Sequence, residues 1–546
     1  MERSEALLSG LNLPSMVYSG VRSVVVAEHG VGQSGRSNRW ATVPALAVGV
    51  VLLAAFAAPL HIESRFSIFP QDEGLLLVYP SLLLHGAVPS RDFESVYGAT
   101  NLWVIAAAFK LFGTSVVVER AVGIGYRLVI LGSVVVIAWR RRGPLAATVA
   151  GAVCIVFLAG TLGLAAFAWV GALAFASFAL LMVDIGLSGP ARGSPLVVGG
   201  VAFGCAVGCR LDMGLAIVLA LGVVAFLRRE SIRWLALGVV VGLVPILVNA
   251  VQAGVGAVFR DQVYGPIFVS GPYRRLLLST LSRQELILLV LTVVVALATV
   301  LTGVLGLRRD RHDWGRVSLL VMGVFELGLL PEAFQRTDSL HLALVSCFIL
   351  PAGVLLPPWG IRRAPFNLMP VLVGVVALVL SYPYFGRTYW SAVGVGKPQP
   401  MEYLVTGGGR QVPLASEQDQ VNLTALLHAV DMRAKPGQRI FVGPRDLRTA
   451  NYEDTFIYFL LPQLVPGSHY LEMNPGIANG TNSRLASDLS RDDFLILTSR
   501  YDNGAGLSSA VAHGGTAPNS IVKTQFTPVG TFGAWTLFER NPASRT

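Results

Sequence analysis

Charged residues are scarce in this chain of 546 residues, at 14%, whereas hydrophobic residues make up 53% and mean hydropathy is +0.62. A soluble domain carries about 25% charged residues, and an apolar core does not explain so large a deficit. Many apolar stretches also reach about 18 residues, enough for a helix to cross a bilayer. The composition excludes an ordinary soluble protein and predicts one embedded in a lipid bilayer.

Cysteine and lysine are also rare. The chain has 4 cysteines, all in apolar stretches, so no disulfide framework is expected in its polar C-terminal part. The net charge of +10 comes almost entirely from arginine in short loops between apolar stretches. That placement is typical of the positive-inside rule and not of a nucleic-acid surface. We therefore predict no nucleic-acid partner, and phosphate-loop, dinucleotide, zinc and serine-nucleophile motifs are absent from the sequence.

The apolar stretches predict a mainly α, polytopic membrane bundle of about eleven spans. They cover residues 41–60, 116–139, 145–161, 164–183, 196–209, 213–227, 235–251, 286–307, 317–330, 342–356 and 368–382. We expect a tail at 1–40, the membrane domain at 41–386 and a small α/β domain at 387–546. In that domain the pattern predicts strands at 438–442 and 494–497, helices at 418–434 and 481–489, and a hairpin at 524–538.

Arginine clusters predict the orientation of these spans. Every second loop carries such a cluster, beginning with residues 140–142. These loops are predicted to be cytoplasmic, which places the N-terminus inside and the C-terminal domain outside the cytoplasmic membrane. The alternation holds only if residues 97–112 do not cross. We therefore predict a first external loop at 61–113 that contains interfacial helices at 75–84 and 97–112.

Acidic residues of this loop are the main catalytic candidates. Asp72, Glu73 and Asp92 suit a general base or a metal ligand at the lipid–water boundary, and Tyr97 suits a substrate contact. The alternative for Asp72 and Glu73 is structural, because carboxylates are favourable at a helix N-terminus.

Further candidates lie in three other external segments. Glu332, Arg336, Asp338 and His341 are predicted to form a wall that contacts phosphate or sugar, or else a loop whose charges pair with one another.

Arg260, Arg274 and Arg275 make the 253–284 loop basic, which favours an anionic ligand such as a lipid phosphate. Arg210 is a substrate-binding candidate, although a buried structural ion pair with Asp212 is the stronger alternative. Two C-terminal loops, 443–446 and 472–476, are candidates for acceptor binding or plain turns.

Several short motifs of the first loop resemble those of the GT-C superfamily of membrane glycosyltransferases. They occur in order between the first and second spans as Asp72-Glu73-Gly74, His85-Gly86-Ala87-Val88-Pro89, Arg91-Asp92-Phe93, Tyr97-Gly98, Leu111-Phe112-Gly113 and Glu119-Arg120. The layout is most similar to the branch that includes protein O-mannosyltransferases, aminoarabinose transferases and bacterial wall-glycan transferases. The match covers about residues 41–140, and beyond them the resemblance is general.

The resemblance implies transfer of a sugar from a polyprenyl-phosphate donor to an envelope glycan, lipid or protein acceptor at the outer face. Asp72 matches the acidic residue near the anomeric carbon, Glu73 lies beside it, and Asp92 matches a second recurrent acid. Metal use varies among branches, so a divalent cation is left open and its ligands are unknown. The alternatives are a transporter or flippase of a lipid-linked substrate and a non-catalytic envelope scaffold.

Overall fold

The structure is a computed structural model that describes residues 39–159, 163–188, 193–276, 278, 281–310, 313–356, 368–381, 385–395, 402–450, 452–502 and 514–544. The chain divides into two units, residues 1–49 and 50–546. The described residues of the first unit, 39–49, are the start of a helix, and the predicted tail at 1–38 lies outside the described residues. Every contact given below lies within the second unit.

Helices form most of the second unit before residue 400. In chain order they are α1 (Arg39–Ala57), α2 (Leu60–Glu63), α3 (Asp72–Leu84), α4 (Ala99–Phe112), α5 (Val116–Arg142), α6 (Pro144–Leu158), α7 (Ala168–Gly186), α8 (Gly193–Cys209), α9 (Met213–Leu227), α10 (Arg229–Gly242), α11 (Val244–Ala253), α12 (Val255–Phe259), α13 (Gly271–Arg274), α14 (Arg283–Arg309), α15 (Trp314–Gln335), α16 (Ser339–Ala352), α17 (Leu368–Ser381) and α18 (Arg387–Ala392). Each predicted span thus coincides with a helix or, at 235–251, with the consecutive helices α10 and α11.

Four of the described helices are long and apolar enough to cross a membrane: α5, α7, α14 and α15. The pair α10 and α11 raises the number to 5 if the two helices, bent by 44°, form one span. Several further apolar helices have 10–17 residues, among them α4, α6, α8 and α9. The mainly α membrane fold is confirmed, whereas the number of about eleven spans stays a prediction.

Small residues bring α8 and α10 into direct backbone contact. A Cβ atom added to Gly238 would lie 2.1 Å from the Val197 carbonyl oxygen, and one added to Gly200 would lie 2.2 Å from that of Leu235. Within a bilayer, helices associate through close packing of this kind because the surrounding lipid is as apolar as their side chains.

The arginines that end α5 bind other helix ends at the same side of the bundle. Arg141 donates to the Gly315 carbonyl oxygen at 2.7 Å, and Arg142 donates to that of Leu355 at 2.8 Å. Arg140 and Arg141 both pair with the buried Asp184. The predicted cytoplasmic loops next to residues 142, 188 and 313 therefore meet at one end. The face of the membrane that this end occupies stays a prediction.

The segment predicted to be the first external loop contains two short helices where the sequence predicted them. Helix α3 has 13 residues with Pro80 inside it, and α4 has 14, so neither is as long as a span. In α4 the buried Asn101 donates to the Ala166 carbonyl oxygen at 3.1 Å and accepts from Tyr126 at 2.9 Å. These bonds explain how a polar residue is accommodated inside an apolar helix.

The segment predicted as the loop 253–284 is largely helical. Between α12 and α13 lies a π-helix of 11 residues, Arg260–Ser270, with Pro266 inside it. The π-helix is rare and frequently occurs at functional sites. Its last residue, Ser270, donates to the Pro475 carbonyl oxygen at 3.0 Å, which connects it to the C-terminal region.

The C-terminal region is α/β, as predicted. Its sheet has the strand order β4-β3-β5-β7-β6, and a separate hairpin precedes it. The elements are β1 (Tyr403–Gly407), β2 (Arg410–Leu414), α19 (Glu417–Asp431), β3 (Arg439–Pro444), α20 (Phe456–Leu460), β4 (Val465–Pro466), α21 (Leu485–Leu489), β5 (Phe494–Thr498), α22 (Ala517–Gln525), β6 (Phe526–Phe532) and β7 (Trp535–Arg540).

Both predicted buried strands, the helix at 418–434 and the terminal hairpin are confirmed as β3, β5, α19 and β6–β7. The helix predicted at 481–489 is shorter, because α21 begins only at Leu485. Sequence patterns missed β1, β2, β4, α20 and α22.

The C-terminal region packs directly on the first external loop. The Phe456 amide at the start of α20 donates to the Pro70 carbonyl oxygen at 3.3 Å, and the Ile68 amide donates to that of Pro413 at 3.0 Å. Gly74 of α3 lies against the backbone of Phe456. The predicted boundary at residue 387 therefore lies inside one compact unit, and the contact extends to the candidate site.

Candidate functional site

The two acids that begin α3 have different surroundings. Glu73 is fully buried and its Oε1 lies 2.6 Å from Nε of Arg120. Its Oε2 accepts from the Phe69 amide at 3.0 Å, and Arg120 also donates to two carbonyl oxygens of the 64–66 segment. Asp72 is only half-buried. Consecutive helix positions are about 100° apart, so one acid anchors α3 while the other faces a different environment.

Asp72 lies within a cluster of charges that comes from distant parts of the sequence. Burial raises the pKa of Asp72 above its ordinary value of 3.8, and the neighbouring carboxylate of Glu472 raises it further. Three cationic groups, Arg336, Arg274 and His341, act in the opposite direction. The cluster unites α3, the segment after the π-helix, the loop between α15 and α16, and the C-terminal region.

Glu472 and Asn474 of the C-terminal region bind Arg274. The Glu472 Oε1 atom accepts from Nη2 of Arg274 at 2.7 Å, and the same Nη2 donates to Oδ1 of Asn474. Oε1 of Glu472 also accepts from Nε2 of Gln71, the residue before Asp72, at 3.3 Å. Glu472 and Asn474 are both buried. One C-terminal loop thus contacts both the start of α3 and the predicted phosphate-binding arginine.

The second predicted group of charges forms a connected network. His341 lies 2.7 Å from Oδ1 of Asp338 through Nδ1 and 3.7 Å from Oε1 of Glu332 through Nε2. Arg336 lies 3.2 Å from Asp338 and donates to the Tyr452 hydroxyl at 2.8 Å. These contacts agree with the second of the two interpretations given for this segment, in which its charges pair with one another.

Residues 331–341, which the predicted spans leave as a loop, are mostly helical, because apolar length marks a helix end poorly. Helix α15 continues to Gln335 and includes Glu332, and α16 begins at Ser339 with Asp338 as its N-cap. Only residues 336–338 are left between the helices. The charges therefore stand on or next to helix ends, which hold them in place.

Arg210 belongs to the same network and is not buried as the structural alternative proposed. It pairs with Asp212 and lies 3.5 Å from Oε1 of Glu332, and its side chain is 26% exposed. Asp212 is the N-cap of α9, which follows α8 closely, so the pair lies where these two helices end and begin and is partly exposed.

Tyr97 and Glu94 lie near this cluster. Burial raises the pKa of the Tyr97 hydroxyl well above its ordinary value, and Glu472 and Asp72 raise it further. The pKa of Glu94 is also raised by burial, then by Glu472 and Asp261. Neither carboxylate oxygen of Glu94 has a well-formed hydrogen bond within the described residues. Each of the two groups therefore holds its proton more tightly than it would in water.

Besides Glu73, three predicted site residues are not brought into the cluster. Asp92 is 40% exposed and pairs with Arg91, whose hydrogen bond lowers the pKa of Asp92. Arg260 is 62% exposed and pairs with Asp261 at the start of the π-helix. Arg275 is exposed.

Sequence reasoning missed several members of the cluster, namely Gln71, Glu94, Tyr452, Glu472 and Asn474. The 472–476 loop had been noted only as an acceptor-binding loop or a plain turn. Its signal was weak, because an acid and an amide before Pro475 and Gly476 are common in turns. Only the contact between the C-terminal region and α3 connects these residues with Asp72.

A divalent cation was left open by the sequence. Within the described residues, no group of three or more His, Cys, Asp or Glu side chains converges with the geometry of a metal site. Glu472 is instead bound by the guanidinium of Arg274. The described acids therefore suggest no ligand set for a cation, and its ligands stay unknown.

Comparison with known proteins identifies the fold. No family model and no curated protein matches the chain. ArnT from Cupriavidus metallidurans bound to undecaprenyl phosphate is similar, with a TM-score of 0.52 and 13% identity over 93% of this chain and 99% of that one.

The apo form of ArnT has a TM-score of 0.51 and 14% identity over the same shares of the two chains. A more distant likeness is the archaeal oligosaccharyltransferase AglB from Archaeoglobus fulgidus, with a TM-score of 0.49 and 11% identity over 93% of this chain and 75% of that one. The likeness to ArnT extends from the membrane helices through the C-terminal region. The chain therefore has the overall fold of ArnT, which is the GT-C fold that the resemblance of the first loop predicted.

Proposed function

We propose that the protein is a glycosyltransferase of the outer face of the cytoplasmic membrane. It moves a sugar from a polyprenyl-phosphate donor to an envelope glycan, lipid or protein acceptor. The observation that carries the proposal is the half-buried Asp72, whose pKa is raised, beside the guanidinium groups of Arg274 and Arg336. The likeness to ArnT, whose structure contains undecaprenyl phosphate, supports a lipid-linked donor.

The chemistry requires a base and a cationic group. In the proposed reaction Asp72 takes the proton of the acceptor hydroxyl while the hydroxyl oxygen attacks the anomeric carbon. The bond from that carbon to the phosphate oxygen breaks, and its electron pair leaves with the lipid phosphate. Arg274 and Arg336 stabilise this negative charge. A carboxylate whose pKa is raised toward neutrality is a better base than an ordinary aspartate, and general-base catalysis contributes about 10²–10⁴-fold.

Glu73 has a different role in this proposal, because its carboxylate is fully used by Arg120 and the Phe69 amide. We assign it to anchoring α3. Asp92, which pairs with Arg91 at the surface, is the matched control for Asp72.

The test uses purified protein in nanodiscs with radiolabelled polyprenyl-phosphate sugars and an envelope extract. Asp72→Asn should lower kcat by about 10²–10⁴-fold, whereas Asp92→Asn should stay within a few-fold of wild type. Wild-type kcat/KM should fall on the acid side at a pH above 3.8, the ordinary pKa of aspartate. Equal transfer by wild type and Asp72→Asn would exclude Asp72 as the base and leave Glu332 as the next candidate. No transfer by wild type from any donor would refute the enzyme and favour a scaffold.

A transporter or flippase is the second candidate, and one observation favours it. Glu326 lies within the long apolar helix α15, fully buried, and neither carboxylate oxygen has a well-formed hydrogen bond within the described residues. Ionisable groups inside membrane helices often mark transport pathways. Translocation of a fluorescent polyprenyl phosphate in proteoliposomes, lost in Glu326→Gln, would support this function. Translocation equal to that of empty liposomes would exclude it for this substrate.

A further inference from the structure

The loop 472–476 is held firmly from both sides. The Met473 amide donates to Oε1 of Glu453 at 2.8 Å, and the Pro475 carbonyl oxygen accepts from Ser270 at 3.0 Å. Gly476, with φ of +76°, closes the turn in a conformation that favours glycine. A loop fixed at these points holds the Glu472 carboxylate in one position.

Gln71 connects the Glu472 carboxylate with the start of α3. Its Nε2 donates to Oε1 of Glu472 at 3.3 Å, and its own Oε1 accepts from the Glu453 amide at 3.2 Å. Gln71 is the N-cap of α3, and Asp72 is the first residue of that helix. A displacement of Glu472 would therefore move the start of the helix on which Asp72 stands.

Arg274 is held by the same oxygen of Glu472. Its Nη2 lies 2.7 Å from Oε1 and also donates to Oδ1 of Asn474. Arg274 ends α13, a helix of only 4 residues, so its own backbone constrains a long side chain weakly. The carboxylate and the amide of the C-terminal loop supply the missing constraint, because a charge-assisted hydrogen bond is about twice as strong as a neutral one.

We propose that Glu472 is a positioning residue for sugar transfer, holding Arg274 and the Gln71–Asp72 segment at a fixed separation through one carboxylate oxygen. The C-terminal region then completes the reaction site and is more than a surface for the acceptor. This inference rests on the proposed function, which assigns the leaving phosphate to Arg274 and the acceptor proton to Asp72. It adds a residue that acts through both of them without touching either reacting atom.

The negative charge of Glu472 also predicts a change in the pH dependence of sugar transfer that a merely structural residue would not cause. The negative charge of Glu472 raises the pKa of Asp72, whereas the positive charge of Arg274 lowers the pKa of Asp72. In Glu472→Gln the charge of Glu472 is lost and Arg274 is no longer neutralised. Both changes shift the pKa of Asp72 downward. The acid limb of kcat/KM should therefore move to lower pH.

The experiment compares Glu472→Gln, Glu472→Asp and a control, Glu417→Gln, in the full-length protein in nanodiscs. Glu417 is exposed in the first turn of α19. A displacement of about 1 Å at a reacting group costs about 100-fold in rate. We expect kcat of Glu472→Gln to fall by about that factor with the acid limb shifted, Glu472→Asp to recover part of the rate, and Glu417→Gln to match wild type.

A second measurement needs no activity. Carbodiimide labels protonated carboxyl groups, so the pH dependence of Asp72 labelling, read by mass spectrometry, follows the pKa of Asp72 directly. Its midpoint should be lower in Glu472→Gln than in wild type.

An unchanged midpoint, or unchanged kcat in Glu472→Gln, would overturn the positioning role while leaving the glycosyltransferase intact. Lower kcat with an unshifted acid limb, unrescued by Glu472→Asp, would show a structural residue only. If the labelling midpoint of Asp72 is lower in Glu472→Gln but the wild-type protein transfers no sugar, the proposed function is refuted. The coupling between Glu472 and Asp72 would then still stand.

Discussion

Replacing Gly74 with alanine should move α3 away from the C-terminal region and slow sugar transfer. A Cβ atom added at Gly74 would lie 2.6 Å from the Phe456 amide nitrogen and 3.1 Å from its Cα, whereas ordinary contact begins at 3.4 Å. The shortfall at the nitrogen is about 0.8 Å. Both opposing atoms belong to the backbone, so no side-chain rotation relieves the clash. The two helices must therefore separate, or the bond from the Phe456 amide to Pro70 must break.

The size of the effect follows from this displacement. Overpacking of this kind costs about 1–3 kcal/mol in unfolding free energy. Asp72 stands two residues before Gly74, so it moves by a comparable distance, and about 1 Å at a reacting group corresponds to about 100-fold in rate. We expect Gly74→Ala to fold with a lower melting temperature and to lose between about 10-fold and 100-fold in kcat.

The assay is sugar transfer and thermal melting in the same nanodiscs, with Gly132→Ala as the matched control. Gly132 lies inside α5, and apart from the neighbouring backbone of its own helix no heavy atom of the described residues lies within 4 Å of a Cβ added there. This control should keep wild-type activity and melting temperature. Wild-type kcat in Gly74→Ala would refute the idea that contact between α3 and α20 sets the position of Asp72. Equal losses in both variants would point to a general effect of helix glycines.

Three further variants test other parts of the structure. Glu73→Gln should lower the unfolding free energy by about 3–5 kcal/mol, because it leaves Arg120 as an uncompensated buried charge. Adding Arg120→Met to this variant should recover part of the folded yield, measured by size-exclusion chromatography. Burial lowers the pKa of His469 from 6.5 to about 4. The contribution of the neutral His469 to stability is therefore complete above pH 6.5 and is lost as the pH falls toward 4. Between pH 4 and 7, the melting temperature of His469→Gln should depend less on pH than the melting temperature of wild type. Trp535→Phe removes the 2.6 Å hydrogen bond from Nε1 of Trp535 to the buried Asp454. In denaturant titrations this variant should lose about 1–3 kcal/mol of unfolding free energy. An unchanged midpoint would show that the Asp454 carboxylate is satisfied without this hydrogen bond.

Lipid solvation explains why the membrane helices could be predicted from the sequence. Every backbone polar group in a bilayer must be satisfied within its own segment, so a long apolar run has to be helical. Helix α9 has the predicted bounds Met213–Leu227, and α5 starts at the predicted Val116. The strands β3 and β5 were also predictable, because short apolar runs between turn residues are typical of buried parallel strands.

The candidate site was predicted in part. The sequence by itself determined that Asp72, Arg274 and Arg336 lie in polar segments between the predicted spans, where ionisable groups are tolerated next to a membrane. It did not determine that Asp72 and not Glu73 joins the charge cluster, because both acids suit a helix N-terminus equally well. The partner of each was decided by packing, since Arg120 reaches only the face of α3 on which Glu73 lies.

Only the tertiary structure decided that Glu472 belongs with Asp72. The two residues are separated by about 400 positions, and neither hydropathy nor turn chemistry carries information over such a distance. Their approach depends on α20 packing against Gly74 and on Gln71 bonding to the C-terminal loop. Local sequence specifies which helices and strands form, whereas the meeting of distant charges is a property of how those elements pack.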